Sequence, residues 1–449
     1  MRSAKLWRAF LIFLGPLILS NVLQALSGTI NNIYLGQMIG VDALAAVSSF
    51  FPIFFFLISF VIGLGAGASI LIGQAFGARE FEKVKVIAGT TLTATVVVGI
   101  VVAIAGSFGA EWLLSLVGTP ANIFPQAVAY ARVMLIGLPL FFILILITSM
   151  MRGVSDTVTP LWAFGLTTVI GLVVTPALIQ GWWGLPQLGV TSGAWAGILS
   201  LVIGLAWLAI YTLRRNHPLA PDRVFLRHLG IEWGLLGTIL RIGVPTGIQV
   251  VLLSLAEVAV LSFVNGFGSD ATAAYGTVNQ IVSYVQFPAI SISITASIFG
   301  AQAIGGGRIG DLGLITRTGI LMNIVITGGL VLLAYIFSRS IIGFFITSDS
   351  VTELAQHLLH ITLWSYVVFG AAAVVSGVMR ASGTVLVPTA LSIFAVLAIE
   401  VPVAYFLSRT SLGINGIWIA YPVAFTAMLI LQSAYYHFFW KKQTITRLI

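Results

Sequence analysis

The sequence predicts an all-α integral membrane protein of twelve transmembrane helices arranged as two pseudosymmetric six-helix lobes. Composition, the spacing of apolar runs and an internal duplication predict it. Of 449 residues, 59% are hydrophobic and only 8% charged, against roughly 25% charged in soluble globular chains. That excludes a soluble domain. The 21 lysines and arginines outnumber the 13 acids, but they sit singly or in short clusters between apolar runs, which fits a membrane surface rather than nucleic acid. There is no cysteine, hence no disulfide, thiol nucleophile or thiolate metal site.

A hydrocarbon core about 30 Å thick needs roughly 20 apolar residues per helix. Twelve runs qualify, near residues 10 to 34, 43 to 73, 86 to 108, 127 to 150, 160 to 180, 190 to 212, 237 to 264, 271 to 300, 314 to 337, 356 to 380, 386 to 407 and 413 to 438. If successive spans alternate sides, 18 of the 21 basic residues collect at one set of ends, and only Arg132, Arg339 and Arg409 at the other. The positive-inside rule then predicts a multi-pass protein of the plasma (inner) membrane with both termini cytoplasmic. Arg2, Lys5 and Arg8 ahead of Phe10 to Leu14 resemble a signal peptide, but the apolar stretch continues to Tyr34 and is read as the first span.

The halves match each other. Gly40-Val41-Asp42-Ala43-Leu44-Ala45-Ala46 aligns with Gly268-Ser269-Asp270-Ala271-Thr272-Ala273-Ala274, Gln74-Ala75-Phe76-Gly77 with Gln302-Ala303-Ile304-Gly305, and Met151-Arg152 and Pro160 with Met379-Arg380 and Pro388, all at an offset of 228. Pro16 pairs with Pro245 at 229, and Trp195 with Trp418 at 223. Residues 1–213 thus form one six-helix lobe, 214–236 a polar cytoplasmic linker, and 237–449 the second lobe. An even number of spans per repeat inserts both lobes with the same orientation, an architecture of alternating-access carriers with a cavity near the bilayer midplane.

Polar groups inside spans are costly and mark function by default. Eleven of the 13 acids fall in loops or at helix ends, leaving Glu257 and Glu400, both in the second lobe. A carboxyl group in apolar surroundings exchanges a proton near neutral pH, and ionised it holds Na⁺, so these two are the candidate ion-coupling residues. Glu400 lies two residues before Pro402, where it could instead satisfy backbone freed by the proline. Ser20, Gln24, Ser27 and Asn31 form a polar stripe at helical spacing on the first span. Such a stripe faces a cavity or hydrogen-bonds a neighbouring helix. Gln249, Ser254 and Asn265 on the seventh span, and Asn279, Gln280 and Tyr284 on the eighth, would line the cavity from the other side.

Other patterns carry less. Glu353, His357 and His360 share a helix face at near-ligand spacing, but Ser350 with Glu353 reads as a capping box at a helix start, and no metal site is expected. The glycines of Gly63 to Gly67 and Gly305 to Gly307 lack the Lys-Ser of a phosphate loop and predict close packing and tight turns. Phe50, Phe51, Phe54, Phe55 and Phe56 read as lipid-facing bulk, part of which could stack on an amphipathic substrate. There is no protease, kinase or hydrolase signature and no soluble domain long enough for ATP, so neither an enzyme nor a cofactor is expected.

Together these residues resemble the multidrug and toxic compound extrusion (MATE) transporters. The likeness rests on Gly36 to Ala46, on Gly73-Gln74-Ala75-Phe76-Gly77-Ala78, on Met151 to Thr157 with Pro160, and on their second-lobe counterparts. It implies efflux of amphipathic, often cationic compounds in exchange for H⁺ or Na⁺ by rocking of the lobes, with a monomer, a small-molecule substrate and the bilayer as partners. Many members carry an aspartate where this chain has Asn31, and an Asn and Asp pair where it has Gly171 and Thr175, so the usual first-lobe cation site is missing. Some use a helix-seven glutamate at a position nearer Leu253, with Glu257 one turn later. The expectation is coupling in the second lobe, through Glu257 with Glu400 assisting. A lipid-linked precursor flippase of the same superfamily is the alternative, although no basic residue lies deep in a span to hold pyrophosphate. A passive channel would need neither gradient nor embedded carboxylates.

Overall fold

Each apolar run becomes a helix in the computed structural model, which describes residues 3–449. In the first repeat these are α1 (Ser3–Met38), α2 (Val41–Gly77), α3 (Phe81–Leu116), α4 (Phe124–Gly153), α5 (Val158–Gln180) and α6 (Ser192–Arg214). The second holds α7 (Trp233–Asn265), α8 (Ser269–Gly305), α9 (Leu312–Ile336), α10 (Asp349–Thr362 and Ser365–Ala381), α11 (Leu386–Ser408) and α12 (Ile414–Phe438). Eleven are long and apolar enough to span alone, and the bent pair of α10 supplies the twelfth. Among the described residues there is no strand, as expected where lipid leaves every backbone group to be satisfied within its own helix.

Two helices depart from regularity. α10 bends by 41° at Leu363 and Trp364. Tyr335 of α9 pins the break: its hydroxyl donates to the His360 carbonyl at 3.2 Å and accepts the Trp364 N–H at 2.9 Å. In α11 the turn Ala395–Glu400 is a π-helix. Pro402, just beyond, has no N–H to give and crowds the carbonyl of Ala398, and a widened turn relieves both.

The duplication extends to backbone conformation. Left-handed turns occur at Gly40 and Gly268, at Arg79 and Gly307, and at Ser155 and Gly383, each pair 228 residues apart. Packing divides the chain into two compact units, Leu19–Val244, and the described residues up to Ile18 with Pro245–Ile449. These boundaries differ from the expected lobes: they cut α1 and α7 beside Pro16 and Pro245, where a missing N–H interrupts the helical ladder. In the second unit the start of α1 packs Phe10 and Phe13 edge-on against Phe299, with centroids 5.0 and 5.4 Å apart.

The first unit has a core of Leu35, Val47, Phe50, Leu135, Leu138 and Phe142. Phe50, expected to face lipid, is buried against Tyr130, whereas Phe51 and Phe56 are exposed. The predicted glycine packing is present. A Cβ on Gly67 would lie 2.6 Å from the Ile239 carbonyl of α7, and one on Gly65 would meet Ser149 Oγ at 2.8 Å. Residues 215–232 also belong to this unit. Asp222 caps the short helix Arg223–Arg227 by accepting the Phe225 N–H at 2.8 Å, and pairs with Lys85 of α3. Beyond it the chain runs so close to α3 that a Cβ on Gly89 would sit 2.1 Å from the His228 carbonyl. Glu232 N–H donates to Thr90 Oγ1 at 3.2 Å.

The capping box predicted at α10 does not form. The cap is Ser348, two residues earlier, and it makes no side-chain capping bond, its hydroxyl instead meeting that of Ser350 at 3.1 Å. Glu353, His357 and His360 are exposed, and His360 Nδ1 faces the Gln356 carbonyl at 2.7 Å. Among the described residues no group of three such side chains is placed to hold a metal ion.

Candidate coupling site

Glu257 lies on α7, and α8 and α12 bring two tyrosines to it. Its Oε2 accepts from the Tyr275 hydroxyl at 2.7 Å and from the Tyr421 hydroxyl at 3.1 Å, and the two hydroxyls are themselves 2.9 Å apart. Both tyrosines are buried, while Glu257 keeps an exposed face. Tyr275 is held by Trp418, its ring stacked 6.0 Å away at 9°, and Tyr421 by Phe425. Three oxygens thus form a closed triangle. With the carboxylate ionised, two hydroxyl protons serve three edges and one contact is left without a proton. A proton on the carboxyl group gives each edge its own donor.

Glu400 sits in the π turn of α11, 1% exposed, and its Oε1 has no hydrogen-bond partner. In the same turn, Ala395 and Val396 pack with Ala256 of α7, Ala372 of α10 and Met428 of α12. It lies within electrostatic reach of Glu257, and buried Tyr366 of α10 is within reach of both. The two acids picked out from the sequence therefore act on each other electrostatically.

The predicted cavity residues divide. Asn279, one turn beyond Tyr275, reaches that same hydroxyl. Gln280 is exposed, as is Tyr284, which stands edge-on to Phe287 at 5.9 Å. Gln249 accepts a hydrogen bond from Arg380 at the end of α10. Ser254 bonds its own helix, and Asn265 caps the turn to α8 by accepting from Thr272 at 2.7 Å. In the first unit Gln24 is exposed and bonds back to the Ser20 carbonyl at 3.4 Å. Asn31 packs on α6, its Oδ1 2.6 Å from where a Gly193 Cβ would stand, so this end of the stripe serves helix packing. Sequence reasoning missed Tyr275, Tyr366 and Tyr421. Their signal lay in the repeat: the matching first-half residues are Val47, Leu138 and Ile198, all apolar.

The profile of the MatE family matches residues 16–177 and again 245–406, one copy in each repeat. The chain belongs to the MatE family. These are the multidrug and toxic compound extrusion transporters, and the fold expected of such a protein holds for this member: all-helical, membrane-spanning and built as two repeats. The MatE protein is 48% identical to "Probable multidrug resistance protein YoeA" of Bacillus subtilis over 99% of this chain and 96% of that one. Its fold superposes on a mutant of the MATE transporter VcmN of Vibrio cholerae with a TM-score of 0.91, at 20% identity and 99% coverage of both chains. It also superposes on an outward-facing MATE family transporter with a TM-score of 0.89, at 22% identity and 98% coverage of both.

Proposed function

We propose that this transporter exports amphipathic, often cationic small molecules in exchange for H⁺ or Na⁺ by alternating access, with Glu257 as the principal ion site and Glu400 assisting. The observation that carries this reading is the Glu257, Tyr275 and Tyr421 triangle. It presents a carboxylate with an exposed face, on a helix that must cross lipid, backed by two buried hydroxyls. Its proton count favours H⁺, because only the protonated ring gives every edge a donor. The gathering of basic residues at one set of span ends supports a plasma-membrane protein with both termini in the cytoplasm, and a monomer contains both repeats.

Reconstituted protein and a fluorescent cation test the reading. Uptake into proteoliposomes should follow an imposed pH gradient, and Glu257→Gln should reduce it on the order of 100-fold while folding and membrane insertion are retained. A fully active Gln variant would overturn the assignment. Dependence on Na⁺ alone would keep the site and change the ion.

A further inference from the structure

In each repeat the chain that follows the sixth helix turns back onto the link between the fourth and fifth. After α6 the chain reverses through Asn216, which is left-handed with φ 50°, and delivers His217 to the α4–α5 turn. There His217 Nε2 lies 2.9 Å from Asp156 Oδ2, and its Nδ1 accepts the Leu219 N–H at 3.1 Å. The second contact leaves Nε2 as the nitrogen carrying the proton, so the imidazole donates to the carboxylate with one nitrogen and holds the returning chain with the other. Asp156 is fully engaged. Its Oδ1 accepts from the Val158 and Thr159 N–H groups at 3.1 and 3.0 Å, and its Oδ2 also takes the Thr159 hydroxyl at 2.6 Å.

After α12 the same course is followed with different chemistry. Trp440, 2% exposed, stacks on Tyr436 at 5.1 Å and donates its indole N–H to Ser382 Oγ at 2.9 Å, in the α10–α11 turn. Leu448 then covers Gly383, lying 2.7 Å from where a Cβ on that glycine would stand. His217 and Trp440 are equivalent in the duplication, 223 residues apart like Trp195 and Trp418. Ser155 and Gly383, 228 apart, supply the matching left-handed residue of each turn.

We infer that the segment after the sixth helix of each repeat is a strap that locks the turn between the fourth and fifth helices of the same repeat, with His217 the positioning residue in the first repeat and Trp440 in the second. The stretch 215–232 is then a fixed part of the first unit, which agrees with its further bonds to Thr90 and to Lys85. The second strap uses an indole and a hydroxyl where the first uses an imidazole and a carboxylate.

Hydrogen–deuterium exchange on the full chain in lipid nanodiscs tests this. In the wild type, amides of residues 153–159 and 217–220 should open together with matched protection. His217→Ala should raise exchange in both segments about tenfold, the scale of one charge-assisted hydrogen bond, and leave residues 380–385 unchanged. His217→Gln, which keeps a neutral donor within reach of Asp156, should restore protection. Trp440→Phe keeps the ring and loses the N–H, and should loosen residues 380–385 and 440–448 alone. The inference is overturned if His217→Ala loosens the linker without the α4–α5 turn, if it loosens α3 to α6 uniformly, or if the Gln variant fails to restore protection. Should His217→Ala not fold, the wild-type co-opening and the Gln and Phe variants still decide.

Discussion

The two repeats share helices, turns and straps, yet they differ where chemistry is expected. In the first, Val47, Leu138 and Ile198 help form an apolar core. In the second, the equivalent residues are Tyr275, Tyr366 and Tyr421, gathered near Glu257 and Glu400. The positions matching those acids hold Gly28 or Thr29 and Gly171 or Leu172. The two halves share one scaffold, and only the second carries a hydrogen-bonded polar cluster where the first has apolar packing. The contrast separates what holds a six-helix unit together from what it can bind.

The largest test removes the hydroxyls. Tyr275→Phe with Tyr421→Phe should lower gradient-driven uptake by about 100-fold and each alone by about 30-fold, since groups that act together lose less than additively. Equal loss in a first-repeat control such as Tyr34→Phe would erase the contrast. Placing the tyrosine in the other half should act on stability. Val47→Tyr overfills a packed core and should cost ~1 to 3 kcal/mol, read as a lower unfolding temperature in detergent. Glu400→Gln should reduce uptake about fivefold with little loss of stability, because the carboxyl oxygen it replaces has no partner to lose. An unchanged rate would reduce Glu400 to a packing residue.

The smallest effect concerns pH and the straps. Burial acts to raise the Asp156 carboxyl, but hydrogen bonds from His217 and Thr159 outweigh it and hold the group below its ordinary range. At Asp222, the Lys85 hydrogen bond has the same lowering effect. A carboxylate lowered on folding stabilises the folded form above its unfolded value, and the contribution is lost as pH falls through the folded value. In His217→Gln, where Asp156 is the titrating group left at the turn, exchange protection of residues 153–159 should therefore be unchanged from pH 7 to 5 and decline only below about 4, the ordinary carboxylate value. The Trp440 clamp contains no carboxylate and should show no such decline.

The twelve spans and the duplication were legible because run length and a constant offset are one-dimensional signals. Glu257 and Glu400 were legible because an acid inside an apolar run has few bland explanations. The tyrosines were not. In a span they count as apolar bulk, and only the packing of α7, α8 and α12 shows that two of them meet one carboxylate. Asn31 illustrates a different limit: helical spacing showed a polar stripe but could not say that it leans on the bare backbone of Gly193. Phe50 was lost among its neighbours because a run of five phenylalanines winds around the helix, and one of them must face inward.

The π turn of α11 has a consequence for how the halves diverged. The turn Ala395–Glu400 closes i→i+5 rather than i→i+4 hydrogen bonds, and so holds one residue more than the α-helical turns around it. Since each residue turns an α-helix by about 100°, that extra residue changes the phase of everything beyond it. A single codon gained in an ancestral second half would thus have re-aimed a whole helical face while leaving its length, hydropathy and loops almost untouched.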